Sequence, residues 1–291
     1  MKKILAIMLL AATLLTVSTV PAMALVERSP LLDAAFSLIE ADNIFLRRYN
    51  EITGANVEAK FELGVPYMFG GKGNELFLSQ YPDYAKRKCW ETTKFYRKNS
   101  VYIYGLDCSG YTQWIYEQVG YPAHDSLSNM ILKWEYERNG NHLYNHRPGN
   151  EMPPYNELKD HLIVGDLLVG KHGARHIMMY IGTLADYGFT AEEVPELANY
   201  LDYPLVIHCG PSPVYGKIFE QFIAENPDLY GNCKTTNGGV EVSILGIPLE
   251  EAPYFEHVQV NDFYYYMIDE GNYPLTIWDL PGCTSFCWFR I

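Results

Sequence analysis

Apolar side chains recur at helical spacing in two parts of the first half of the chain. Residues 30–52 carry them three and four positions apart, and Gly54 follows. This period matches one face of an α-helix, and glycine is a common residue just past a helix end. Residues 108–119 show the same period, with Asp107 in place to cap the first turn. Two helices are therefore predicted, and the glycine-rich residues 63–73 between them are predicted to be irregular.

The second half of the chain changes to short, alternating apolar runs that are separated by turn-forming residues. Runs of this kind are typical of β-strands. Six strands are predicted, at residues 167–169, 176–181, 205–209, 240–245, 263–268 and 286–291. Helical segments are also predicted at 190–201 and near 127–137. Helices that come first and strands that follow favour the α+β class with an antiparallel sheet.

The N-terminus has the pattern of an export signal. Lys2 and Lys3 precede an almost wholly apolar run over residues 4–20, and residues 22–24 (Ala-Met-Ala) put small side chains at a cleavage site. This arrangement predicts a secretory signal peptide over residues 1–24. An uncleaved membrane anchor is the alternative, but no basic stop-transfer cluster follows. We expect a mature protein that is secreted or held in the cell envelope, with no membrane contact after cleavage.

Charge and cysteine content narrow the partners further. The chain of 291 residues has a formal net charge of −13, which argues against a nucleic-acid partner because phosphates repel an acidic surface. Six cysteines would allow three disulfides in an oxidising compartment. A nucleophilic cysteine has to stay unpaired and would leave an odd number, so no pairing is predicted. The oligomeric state stays open.

Three residues have the chemistry of a thiol hydrolase. Cys108 lies at a predicted helix N-terminus, where backbone N–H groups and the helix dipole favour the reactive thiolate. His176 begins a predicted strand and suits the role of general base. His208, in the next strand, is expected to hold the second ring nitrogen of His176. The alternatives are a small buried cysteine and a histidine that only borders a strand.

Histidine spacing also raises the possibility of zinc. His172 and His176 are four residues apart, as are His142 and His146. That spacing suits zinc on a helix, but neither segment is predicted to be helical and no His-Glu-x-x-His motif occurs. We therefore expect no metal and no cofactor.

The order of these motifs resembles the NlpC/p60 family of cell-wall cysteine peptidases. Asp-Cys-Ser-Gly at 107–110 is followed by Gly-Asp-Leu at 165–167, by the His176 run that ends in Tyr-Ile-Gly, and by Ile-His at 207–208. Upstream, residues 64–71 are similar to the family's Pro-Tyr-x-Trp-Gly-Gly segment, with phenylalanine where tryptophan is usual.

The resemblance implies a papain-like α+β fold that needs no metal. A catalytic domain with insertions would cover residues 61–291 and follow an N-terminal helical segment at 25–60. By the same resemblance, Cys108 is the nucleophile, His176 the base and His208 the orienting residue.

The resemblance also implies a substrate. The family hydrolyses amide bonds in peptidoglycan stem peptides, often between D-glutamate and a diamino acid. Tyr67 matches a residue that assists the oxyanion, while Asp107 and Ser109 match the subsite for the amine of the leading L-alanine. Segments that look like insertions lie at 183–203, 210–238 and 257–282. They leave open a related thiol amidase or acyltransferase with another substrate, and a non-catalytic secreted wall-binding protein.

Overall fold

The structure of the chain is a computed structural model. It describes residues 26–72, 83–93, 95–121, 142–145, 153–170, 176–235, 237–248, 256–258, 263–268, 273–278 and 286–289. The predicted signal peptide and the predicted helix near 127–137 lie outside these ranges. Within them, no helix has the length and apolar character needed to cross a membrane.

The helices of the described ranges are short. The α-helices are α1 (Pro30–Phe36), α2 (Ile44–Thr53), α3 (Cys108–Gln118), α4 (Pro213–Glu225) and α5 (Pro227–Tyr230). Two 3-10 helices cover Tyr155–Asp160 and Pro195–Tyr200. The second of these lies inside the predicted helical segment 190–201, whereas α4 falls in a stretch that was interpreted only as an insertion.

The strands form one large sheet and one small sheet. They are β1 (Lys86–Lys88), β2 (Val101–Ile103), β3 (His142–Asn145), β4 (Leu167–Gly170), β5 (Ile177–Thr183), β6 (Pro204–Gly210), β7 (Cys233–Lys234), β8 (Gly239–Leu245), β9 (Glu256–Val258), β10 (Phe263–Ile268), β11 (Tyr273–Trp278) and β12 (Phe286–Phe289). The large sheet has the order β3-β12-β4-β5-β6-β8-β11-β10-β9, and the small one the order β1-β2-β7.

The α+β class is confirmed, and the described strand pairs of the large sheet are antiparallel with one exception. β8 and β11 run parallel, and so do β2 and β7. The chain passes through β9 and β10 before β11 reaches the edge of β8, so β11 arrives in the same direction as β8. The six predicted strands correspond to β4, β5, β6, β8, β10 and β12, and β11 was not predicted.

The single helix predicted over 30–52 is wrong, because the chain forms α1 and α2 with a turn between them. The buried Asn43 side chain accepts hydrogen bonds from the N–H groups of Phe45 and Leu46, and this starts α2. Apolar residues on both sides of the turn face the same core, so their spacing hides the break. Gly54 ends α2 as predicted, at a left-handed φ of 67°.

Close backbone packing fixes where α3 begins. The irregular segment before β1 pairs with the residues just before α3, since Leu106 N–H donates to the Pro66 carbonyl at 3.0 Å. A Cβ atom at Gly105 would lie 1.7 Å from the Pro66 oxygen, and one at Gly110 would lie 2.1 Å from the Gly71 oxygen. Glycine is therefore the residue that allows α3 to lie against this segment. α3 also packs on α1, β5 and β6.

Candidate active site

Cys108 is the first residue of α3, as predicted. Asp107, in an extended conformation, caps the helix by accepting a hydrogen bond from Gly110 N–H at 2.7 Å. A helix N-terminus presents unpaired backbone N–H groups and a partial positive charge, and both favour an anionic sulfur. Because α3 packs on β5 and β6, its N-terminus is held beside the strands that carry the two histidines.

His176 and His208 form a buried pair. His176 immediately precedes β5 and His208 lies in the adjacent strand β6. The Nε2 atom of His176 is 3.0 Å from Nδ1 of His208, and the two rings meet edge to face at 90°. His208 is fully buried and His176 is almost so. This hydrogen bond assigns Nδ1 of His176 as the ring nitrogen that remains for a proton transfer.

The polar chain continues behind His208. Its Nε2 atom lies 2.8 Å from the Ser243 hydroxyl in β8, and Ser243 Oγ lies 2.5 Å from Thr276 Oγ1 in β11. Both hydroxyl residues are buried in strands whose other side chains are mostly apolar. Their sequence context gave no signal, because a serine and a threonine in an apolar run are common in strands.

The thiol sulfur lies at the start of β5. The backbone N–H groups of Ile177 and Ser109 are placed to stabilise its thiolate form. Ile177 directly follows His176, so this contact places the sulfur near the backbone next to His176. Cys108 also keeps partial solvent exposure, unlike the histidines. A nucleophile has to be reached by its substrate, and this exposure meets that need.

Burial shifts the pKa values of Cys108, His176 and His208 in the direction that favours their uncharged forms. Burial, with a smaller effect of the Asp107 carboxylate, raises the pKa of the Cys108 thiol to about 11. Burial lowers the pKa of His176 to about 3 and holds the pKa of His208 well below its usual range. Both shifts favour a thiol and a neutral imidazole at Cys108 and His176.

Lys72 is a site residue that the sequence did not reveal. Its Nζ atom lies 2.6 and 2.8 Å from the two carboxylate oxygens of Asp107, and it also contacts the Ser109 hydroxyl. The N–H of Gly70, the N–H of Gly110 and the hydroxyl of Ser109 donate to the same carboxylate. The resemblance assigns Asp107 and Ser109 to an amine subsite, and here the chain's own ammonium group occupies it.

Tyr67 lies near the start of α3, close to Cys108. It forms an isolated parallel bridge with Leu106, and its N–H donates to the Gly238 carbonyl at 2.9 Å. Burial raises the pKa of the Tyr67 hydroxyl, and the nearby Cys108 raises it further. The hydroxyl is therefore protonated and can donate a hydrogen bond near the sulfur.

A basic and aromatic surface adjoins the site. A cavity of about 320 Å³ is lined by Gly70, Arg87, Lys88 and Trp90, among others. Trp90 is 71% exposed, and Lys88 Nζ lies 4.9 Å from the centre of its ring. Lys86, Arg87 and Lys88 are all exposed on β1, which gives an acidic protein a local positive surface.

Metal and disulfide chemistry have little support in the described ranges. No group of three or more histidine, cysteine, aspartate or glutamate side chains there is placed to hold a metal ion. The side chains of His142, His146 and His172 lie outside what the structure describes. Cys89, Cys108, Cys209 and Cys233 carry no disulfide.

The match to a family model agrees with the fold and the site. Residues 64–187 match the model of the NlpC/P60 family. The resemblance stated from the motifs is confirmed over this part of the chain. The family consists in general of cysteine peptidases that act on peptidoglycan. The matched range contains Cys108 and His176, while His208, Ser243 and Thr276 lie beyond it. Searches among curated proteins and among solved structures found no match.

Proposed function

We propose that this protein is a secreted cysteine peptidase with a papain-like fold that hydrolyses amide bonds in peptidoglycan stem peptides. The observation that carries the proposal is the arrangement of Cys108 at a helix N-terminus beside a buried His176–His208 pair. Cysteine and histidine held in this way, with a third group that orients the base, form the working unit of thiol hydrolases. The family match supports the class of substrate.

The chemistry begins with a proton transfer. Nδ1 of His176 takes the proton from the Cys108 sulfur as the sulfur attacks the carbonyl carbon of the scissile amide. The resulting oxyanion accepts hydrogen bonds from the Cys108 backbone N–H and the Tyr67 hydroxyl. His176 then returns the proton to the leaving amine, the C–N bond breaks and a thioester remains. A water molecule, deprotonated by His176, attacks the thioester and releases the carboxylic acid and the thiol.

The neutral resting pair fits this sequence of steps. A buried ion pair would be costly to desolvate, and the low pKa of His176 shows that the imidazolium form is disfavoured before substrate binds. During attack the negative charge moves from sulfur towards the carbonyl oxygen. There the Cys108 backbone N–H and the Tyr67 hydroxyl donate hydrogen bonds to it. The imidazolium ion is transient and donates through Nε2 to His208. His208 acts here as the orienting residue.

The bond cleaved is proposed from the resemblance, as the bond between D-glutamate and a diamino acid. The resemblance assigns the Asp107 carboxylate to the amine of the substrate, but here Lys72 already forms an ion pair with that carboxylate. We therefore place the specificity of this protein in the groups around Lys72 and β1 rather than in a bare carboxylate.

Digestion of purified muropeptides tests the proposal. The wild-type protein should release a new amine on the diamino acid, identified by mass, and Cys108→Ala should release none. Cys233→Ala is a matched control, since Cys233 is another unpaired cysteine and lies in the small sheet. A stem peptide with a new free amine on its L-alanine would instead identify an amidase, and transfer to an added amine would identify an acyltransferase. If no product forms with the wild-type protein, a non-catalytic wall-binding role replaces the proposal.

Export is part of the same proposal. It rests on the apolar leader and the Ala-Met-Ala site at residues 22–24. Protein recovered from the medium or the envelope should begin at Leu25 in N-terminal sequencing. A full-length leader on the mature protein would contradict export by cleavage.

A further inference from the structure

The contacts of the hydroxyl pair behind His208 favour one direction of hydrogen bonding. Thr276 Oγ1 can donate to the Val242 carbonyl, which lies 3.4 Å away and can only accept. Its lone pairs then face the Ser243 hydroxyl, which donates to Thr276 and presents its own oxygen to His208 Nε2. That oxygen is an acceptor, so His208 carries its proton on Nε2. Proton placement in a histidine is set by the partner of its other nitrogen.

The same direction passes from His208 to His176. With its proton on Nε2, His208 has an unprotonated Nδ1. This nitrogen accepts a hydrogen bond from Nε2–H of His176. His176 in turn has an unprotonated Nδ1. In this arrangement, this is the ring nitrogen that can take a proton from a thiol. The opposite direction, with Ser243 donating to His208, would put a proton on Nδ1 of both rings and leave the base unable to act.

We propose that Ser243 and Thr276 are positioning residues that select the reactive tautomer of His176 through His208. The inference rests on the proposed function, because it assigns His176 as the base. It adds two residues from β8 and β11, both beyond the range that matches the family model. Neither residue touches the substrate or the reacting atoms.

The packing of the sheet supports a specific role for this pair. Ser243 and Thr276 are direct partners in the parallel β8–β11 register, and both are buried. Their strand neighbours Ile244 and Ile277 are apolar. A buried hydroxyl without a partner costs about 1–3 kcal/mol. Here Ser243 contacts Thr276 and His208, and Thr276 contacts Ser243 and the Val242 carbonyl. An apolar pair would fill the same space, but it would leave His208 Nε2–H without an acceptor.

Other ionisable groups face the two histidines from the surrounding elements. Glu241 in β8 pairs with His208 across the sheet, and its Oε1 lies 4.0 Å from His208 Nδ1. Burial raises the pKa of Glu241 well above its usual range. The Asp107 carboxylate, at the N-cap of α3, acts on His176, and the Cys108 sulfur lies near the backbone N–H of Ile177. The contact to Nε2 of His208 comes from the Ser243 hydroxyl.

The first test is spectroscopic and uses the wild-type protein. In full-length mature protein with ¹⁵N-labelled histidine, NMR near neutral pH distinguishes protons on Nδ1 from protons on Nε2. We expect His176 and His208 both to carry the proton on Nε2. Ser243→Ala should move a measurable share of both rings to the Nδ1–H form. Ser37→Ala removes another buried serine hydroxyl, far from the histidines, and should leave both rings unchanged. Nδ1–H rings in the wild type would overturn the inference.

The second test compares two substitutions at one position. Thr276→Val keeps the size of the side chain but removes the acceptor for Ser243, so the serine should turn and donate to His208. Thr276→Ser keeps the acceptor. We expect Thr276→Val and Ser243→Ala to slow alkylation of Cys108 by iodoacetamide severalfold or more, because the base then carries its proton on the wrong nitrogen. Thr276→Ser should stay near wild type. Peptide mapping by mass assigns the modified cysteine. Equal rates in all four proteins would overturn the inference.

Kinetics on muropeptides separate this inference from the proposed function. If the wild type cleaves them, Thr276→Val should lower kcat with little change in KM, because substrate contacts are untouched. If the wild type does not cleave them but the tautomers and alkylation rates follow the expectation, the substrate is wrong and the tautomer selection stands. Normal kcat and unchanged rings in Thr276→Val would refute the tautomer selection and leave the peptidase in place.

Discussion

Two of the ionisable residues in the site have pKa values that set a pH profile. His176 is neutral at any pH above about 3, and the Cys108 thiol is protonated at any pH below about 11. The reactive combination is a protonated thiol with a neutral imidazole, and it is present over the whole interval between those values. An ordinary histidine with a pKa near 6.5 would lose its base function over the acidic part of that interval.

We therefore predict a flat profile of kcat/KM between about pH 5 and pH 8, since this parameter follows the free enzyme. Lowering the pH through 6.5 should not protonate His176, because its depressed pKa keeps the neutral form. The alkylation rate of Cys108 provides the same measurement without a substrate. A fall in rate centred near pH 6.5 would show that His176 titrates normally and that its burial is not effective.

Lys72 leads to a prediction about specificity. Its ammonium group binds both carboxylate oxygens of Asp107. The ammonium group of a substrate therefore has to compete with Lys72 for this carboxylate. Lys72→Met should free the carboxylate and raise kcat/KM for peptides with a free amine, relative to the same peptides acetylated, by about tenfold or more; charge-assisted hydrogen bonds have this magnitude. Lys98→Met, at an exposed lysine elsewhere, is the control. An unchanged ratio in Lys72→Met would mean that substrates do not approach Asp107.

The sequence revealed individual site residues only where the residue type is rare and its side chain is chemically reactive. Cys108, His176 and His208 stood out because thiols and imidazoles are scarce and their order was recognisable. Lys72, Ser243 and Thr276 did not stand out, because lysines after glycines and hydroxyls in strands are frequent. Their importance comes from contacts between segments that lie far apart in the sequence, and no local pattern encodes those contacts.

Among the helices and strands, the sequence correctly predicted those whose position depends on interactions within the same segment. The start of α3 followed from an N-cap side chain, and six strands followed from alternation. The turn between α1 and α2 and the strand β11 were missed for the opposite reason. The turn is stabilised by a bridge between Glu40 and Leu63, and β11 takes its place by pairing with β8. Both depend on partners that lie outside the local sequence.

Gly210, the last residue of β6, is predicted to be essential for the geometry of the site. A Cβ atom there would lie 2.7 Å from His208 Nδ1, the atom that faces His176. Gly210→Ala should push the His208 ring and lower kcat at least tenfold, with destabilisation of about 1–3 kcal/mol from overpacking. Gly239→Ala, on the partner position in β8, meets the Val65 carbonyl and not the histidine. It should cost stability in thermal unfolding without the same loss of kcat. Equal kcat losses in the two variants would contradict this view.

On the scale of the whole molecule, charge is distributed unevenly. The chain carries a formal net charge of −13, yet β1 presents three exposed cations beside the cavity at Gly70. A local positive surface on an acidic protein attracts anionic substrates to one face and repels them elsewhere. Stem peptides carry free carboxylates, so this face is the expected direction of approach.

This distribution predicts a salt effect. kcat/KM on a carboxylate-bearing substrate should fall as the ionic strength rises from about 0.01 to 0.15 M, where the screening length shortens from about 30 to 8 Å. Arg87→Ala should lower kcat/KM severalfold at low salt and weaken the salt dependence. Lys217→Ala, an exposed cation on α4, is the control. If both variants respond to salt like the wild type, β1 does not guide the substrate.

The parallel pairing of β8 with β11 has a consequence for the timing of activity. Ribosomes deliver a chain from its N-terminus, so Cys108, His176, His208 and Ser243 all emerge before Thr276 does. A nascent chain that had reached only β8 would possess the thiol and both imidazoles, but Ser243 would have no hydroxyl to receive its proton. On the role inferred for Thr276, such a chain would be a poor enzyme until β11 docks. A wall-degrading activity would then be delayed until most of its own sheet has assembled.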